Sequence, residues 1–212
     1  ADKSLKADRE LVLKAVKQDG YTLEDAAKSL KADRKIVLAA VKLHGGNLEY
    51  AAKSLKADRE FMLKAVKEDG GALEYADKSL KADREFMLKA VKQDGSLFGY
   101  ASESLEADRE LVLKAVKQYG SALLYADKSL RTDREVVLAA VNQDESAIEY
   151  AEEDIRSDKI FMKKYITDKS ILKRFLIDKK SPRYEYRIDV SGYGANIRAS
   201  AISKKTYEFF ID

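Results

Sequence analysis

Between Asp58 and Ala82 the apolar positions fall into two short blocks, and the same two blocks recur along most of the chain. In the first, Phe61, Met62, Leu63, Ala65 and Val66 sweep about 200° of a helical wheel, leaving the remainder to Glu60, Lys64, Lys67 and Glu68. In the second, Leu73 and Leu80 form one edge, Ala72, Tyr75, Ala76 and Ser79 the next, and Glu74, Asp77, Lys78 and Lys81 are grouped opposite. Stripes this wide mean that each helix buries two faces, one against its hairpin partner and one against a neighbouring unit. The pattern predicts two helices per unit, each roughly 16 Å long and too short to persist in water unless packed.

Local signals set the expected ends. Asp58 suits an N-cap, since its carboxylate accepts from the free amides of the first turn. Gly70, like Gly20, Gly45, Gly95 and Gly120, stands where a left-handed residue would close the helix. The second helix is expected from about Gly71 to Leu80, and Ser146 with Glu149 reads as a capping box at the same place in a later unit.

The caps beat at a fixed interval: Asp8, Asp33, Asp58, Asp83, Asp108, Asp133 and Asp158 are 25 residues apart, and all but the last precede an arginine. A period of this length signals a stacked array whose units cannot bury their apolar faces alone. The fold class that follows is mainly α: an α-solenoid of two-helix repeats over residues 1–181. Ala1 aligns with Ala26, Ala51 and Ala76, so the text opens inside a unit, and it is expected to belong to a longer polypeptide. At the other end Lys159, Lys163 and Tyr165 replace the arginine, leucine and alanine of earlier units, which predicts a capping unit over about 158–181 whose second helix includes Ser170 to Leu176.

The run D-R-E-V-V-L-A-A-V-N-Q-D from Asp133, followed by A-I-E-Y-A from Ala147, resembles a repeat family of unknown function found in bacterial, protist and viral proteins. The resemblance covers about residues 1–165. It implies helical-hairpin repeats and carries over no activity or catalytic residue. Glu145 in place of the glycine and Asp25 in place of the tyrosine are departures that leave the frame intact.

After Pro182 the period changes from helical to two. Tyr184, Tyr186, Ile188 and Val190 alternate with charged residues, Gly192-Tyr193-Gly194 turns the chain, and residues 195–202 return. Ser203 then caps a short helix, so 182–212 is expected to be a small ββα segment or the start of a further domain. An unpaired strand edge there would invite a second copy or a peptide.

Charge and composition narrow the function. Residues 1–164 carry 30 basic and 31 acidic side chains and residues 165–212 carry 10 and 6, so the array is balanced and the tail basic. There is no cysteine, which leaves no disulfide framework or thiolate metal site and makes the cytoplasm the default expectation. No apolar run approaches the length of a membrane span. The solvent face offers i, i+4 pairs, Glu10–Lys14, Glu49–Lys53, Glu60–Lys64, Glu74–Lys78 and Glu85–Lys89, which would partner the lysines locally.

Two surfaces are candidates for binding. Tyr50, Tyr75, Tyr100, Tyr125 and Tyr150 form one ring per unit, fit either to grip a partner or to pack against the next unit with the hydroxyl at the rim. Lys163, Lys164, Lys169, Lys173, Arg174, Lys179 and Lys180 form a basic patch fit for an anion or nucleic acid. The arginine column, Arg9 to Arg134, is expected to pair with Asp19, Asp69, Asp94 and Asp144 and so fix the stacking. The lone His44 reads as a loop residue, the acidic run from Asp144 to Asp154 as a solvated patch, and no residues form a nucleophile–base pair, metal cluster or cofactor loop. The expectation is a non-catalytic scaffold without cofactor that binds a protein partner or acts as a spacer. Nucleic-acid binding and an accessory role in a larger effector or enzyme are the alternatives.

Overall fold

The computed structural model describes residues 3–176, which form a mainly helical stack of repeated units and contain no strand among the described residues. Each unit opens with an α-helix; these run Arg9–Gln18, Arg34–Val41, Arg59–Glu68, Arg84–Gln93, Arg109–Val116, Arg134–Gln143 and Lys159–Tyr165. All seven begin where the sequence places their N-caps. In the third unit Asp58 accepts from the Phe61 amide, and in the sixth Asp133 accepts from Glu135 and Val136.

The rest of the unit differs from the single helix expected. Gly70–Tyr75 is a 3₁₀ helix and Lys78–Lys81 a separate turn of α-helix, divided by extended residues at Ala76 (φ −60°, ψ 147°) and Asp77 (φ −58°, ψ 145°). The break turns the Asp77 amide outward, where it donates to the Lys56 carbonyl of the preceding unit at 2.9 Å. The same bond, 21 residues apart, recurs from Ala27 to Lys6, Ala52 to Lys31, Ser102 to Lys81, Asp127 to Glu106 and Glu152 to Arg131. A continuous helix would have kept those amides to itself.

The glycines also have a different reason from the one expected. Gly70 does not adopt a left-handed conformation; Asp69, extended at φ −152°, ends the preceding helix. At Gly120 a Cβ would lie 2.6 Å from the Ala140 carbonyl oxygen, and at Gly95 2.6 Å from that of Ala115, so the missing side chain lets one unit approach the next. Glu145 replaces this glycine where the following unit's first helix ends early, at Tyr165. Its carboxylate accepts from the Thr167 and Asp168 amides and the Thr167 hydroxyl. The cap of the sixth unit's 3₁₀ helix is Asp144, which accepts from the Ser146 amide; the Ser146–Glu149 capping box is not formed.

Neighbouring first helices pack on one another in chain order, and so do neighbouring 3₁₀ segments. The core therefore runs continuously through Ile36, Phe61, Phe86, Leu111, Val136 and Phe161, each at most 3% exposed. Leu11 is the same position in the first unit, where no preceding first helix lies among the described residues, and it is 44% exposed. In the seventh unit a second α-helix, Lys169–Leu176, lays Ile171, Leu172, Phe175 and Leu176 half-buried against the end of the core. The expected strands at 184–190 and 195–202, and the helix after Ser203, lie outside the described residues.

Candidate interaction surface

Stacking fixes the charges first. Arg109 Nε donates to Asp133 Oδ2 at 2.9 Å, and Arg9 Nε reaches Asp33 Oδ2 at 2.7 Å. Arg34 meets Asp58, Arg59 meets Asp83, Arg84 meets Asp108 and Arg134 meets Asp158 in the same way. A ladder does hold the units, but its acids are the N-caps of the following unit. Asp19, Asp69, Asp94 and Asp144 instead cap the 3₁₀ helices, accepting from the amides of Tyr21, Gly71, Ser96 and Ser146. His44 holds this place in the second unit and accepts from the Gly46 amide through Nδ1, so it is a cap rather than a plain loop residue.

The ladder draws in glutamates as well. Glu85, Glu110 and Glu135 pair with Arg59, Arg84 and Arg109 of the unit before. None of the five i, i+4 pairs expected from the sequence is an ion pair among the described residues; an arginine fork brought in by the neighbouring unit competes with a flexible lysine on the same helix.

The tyrosine column lies at the ends of the 3₁₀ segments. Tyr50, Tyr75, Tyr100 and Tyr150 are half-buried against the core, and Tyr125 is 44% exposed. Their rings lean on the preceding unit rather than the next: Tyr50 meets Tyr21 edge-on at 6.5 Å, Lys56 and Lys81 sit 5.9 Å from the ring centroids of Tyr75 and Tyr100, and Tyr125 covers Gly99. Burial, reinforced by the neighbouring Glu49 and Glu74 carboxylates, pushes the Tyr75 phenol above its ordinary range. Lys56 and Lys81 also donate to the Glu49 and Glu74 carbonyls at 2.7 and 2.6 Å, so their charges are held locally.

At the seventh unit Lys163, Lys164, Lys169 and Lys173 are exposed. Arg174 is drawn out of the patch, pairing with Glu149 and covering Phe175. Lys179 and Lys180 lie outside the described residues. The acidic run dissolves into separate contacts: Glu145 holds Thr167, Glu149 holds Arg174, and Glu152 meets Arg131. No group of acidic and histidine side chains among the described residues has the arrangement of a metal site, and no described helix is long and apolar enough to cross a membrane.

Four stretches, residues 1–31, 33–81, 83–131 and 133–175, match the family described as Domain of unknown function (DUF4116). The chain belongs to the DUF4116 family. The two middle matches each begin at a ladder aspartate and span two of the 25-residue units, so one DUF4116 domain here is a pair of repeats. No curated protein and no solved structure matches the chain.

The sequence reading missed the lysines that the ladder leaves unpaired. Lys64, Lys67, Lys89, Lys92, Lys114 and Lys117 have no ion-pair or hydrogen-bond partner for their side chains among the described residues. The signal was present in the spacing, since each Arg is followed by an Asp 24 and a Glu 26 residues later.

Proposed function

We propose that this DUF4116 array is a non-catalytic scaffold that presents repeated side-chain columns to a protein partner, or sets a fixed distance within a larger protein. The observation that carries the reading is the Arg-to-Asp ladder, recurring at every junction from Arg9–Asp33 to Arg134–Asp158. A stack held by one repeated junction keeps its outer columns in register, which suits an extended partner. Affinity capture from the native cell tests it, using the 212-residue chain, its Tyr75→Ala/Tyr100→Ala variant and an unrelated helical-repeat protein as control. Specific proteins retained by the wild type are expected; none above the control would sink the reading. Partners lost from a variant that keeps its helicity would place the contact on the tyrosine column.

Nucleic-acid binding at the seventh unit is the second reading, favoured by exposed Lys163, Lys164, Lys169 and Lys173. It requires retardation of RNA or DNA that weakens steeply with salt, and no retardation at low salt removes it.

A further inference from the structure

The first helices of the third, fourth and fifth units carry a block of cations that the stack does not use. Lys64, Lys67, Lys89, Lys92 and Lys117 are exposed and Lys114 is half-buried. The acids nearest in sequence are engaged elsewhere: Glu85 and Glu110 belong to the ladder, and Glu68 pairs with Lys42 of the second unit at 3.4 Å. Glu60 alone stays unpaired beside them. The block has edges, because Ala39 in the second unit and Ala139 and Asn142 in the sixth stand where the lysines would continue it.

Two apolar features flank these lysines. Leu63, Leu88 and Leu113 form a half-buried column on the same helices, and no aromatic ring stands on their solvent face. Between the third and fourth units an open recess is lined by Val66, Lys67, Gly70, Gln93, Asp94 and Leu97. A polyphosphate backbone gains nothing from leucines, and bases find no ring to stack on. A peptide uses both kinds of contact.

Resting on the scaffold reading, we infer that this block binds an extended acidic peptide segment of a partner protein, with a carboxylate at every third residue and apolar side chains between. Spacing supports the match. Neighbouring packed helices lie about 8–10 Å apart, and an extended polyproline-type chain advances about 9 Å for each three residues. One carboxylate per turn would meet one lysine pair per unit, while an intervening apolar residue enters the recess beside Lys67.

A fluorescent peptide of five Glu-Leu-Pro triplets is the probe, followed by anisotropy against the full chain at low and physiological salt. Saturable binding is expected. Replacing the six lysines with glutamine should weaken it by about tenfold or more while leaving helicity unchanged, since they hold no contact in the fold. Replacing Lys28, Lys53 and Lys78, exposed on the other side of each unit, should leave it within about twofold. The inference is overturned by absence of binding, by equal loss in the control variant, by equal affinity for a peptide of the same composition with its glutamates grouped at one end, or by tighter binding of an oligo(dT) of the same length. Peptide failure with specific partners still captured from cells would overturn this inference and leave the scaffold reading standing; an empty capture would strike the scaffold reading itself.

Discussion

Asp133 serves two units at once: its Oδ2 accepts from Arg109 of the unit before, and its Oδ1 accepts from the amides of Glu135 and Val136 in its own helix. One carboxylate thus starts a helix and fastens it to its neighbour. Asp133→Ala removes both contacts and is expected to cost about 1–2 kcal/mol. Arg109→Ala leaves the cap in place at an exposed pair, so its melting temperature should fall by less than that of Asp133→Ala. Paired thermal melts check this ordering, and an equal or larger fall for Arg109→Ala would contradict it.

Acid should loosen the ladder. The Arg109 guanidinium holds the Asp133 carboxyl below its usual range, and at Asp58 the Phe61 amide, opposed by partial burial and aided by Arg34, does the same. A carboxyl whose folded value is lowered contributes stability that is complete above its unfolded value and is lost as pH falls through the folded one. Helicity followed against pH is expected to be level above about pH 5 and to decline below about pH 4. A midpoint of loss near neutrality would show that other groups govern the transition.

The buried column should be graded by its cover. Phe86 is fully buried between units, so Phe86→Ala is expected to cost about 3–5 kcal/mol. Leu11 holds the same place in the first unit at 44% exposure, and Leu11→Ala should cost well under half as much. Chemical denaturation of the two variants measures the contrast, provided a single transition is seen.

Adjacent glycine positions should behave differently. In Gly120→Ala the new methyl would meet the Ala140 carbonyl oxygen and force the units apart, for about 1–3 kcal/mol. At Gly71 the sole close neighbour of an added Cβ is Asp69 Oδ1 at 3.1 Å, and serine stands there in later units, so Gly71→Ala should stay within about 0.5 kcal/mol of wild type. Thermal melts that show both or neither variant destabilised would refute the close-approach account.

Much of the fold was legible because it is local. The helix starts at Asp58 and Asp133 depend on a side chain and amides within one turn, and the burial of Phe61, Met62, Ala65 and Val66 follows from helical spacing. The break at Ala76–Asp77 was not legible, because the residues there read as helical and the reason for the break is a carbonyl in another unit. The candidate surface suffered most: the tyrosines were placed against the following unit and lean on the preceding one, and the lysines were assigned to glutamates that Arg59 and Arg84 take.

Sequence alone determined the 25-residue period, the helix starts and the residues that face inward, since each rests on contacts within a helix or on its periodicity. Tertiary structure decided which carboxylate each arginine meets, why Gly120 is a glycine, and which lysines remain unpaired. Those outcomes depend on how far one unit is displaced against the next, a distance set by packing of both units together and encoded in neither unit's pattern by itself.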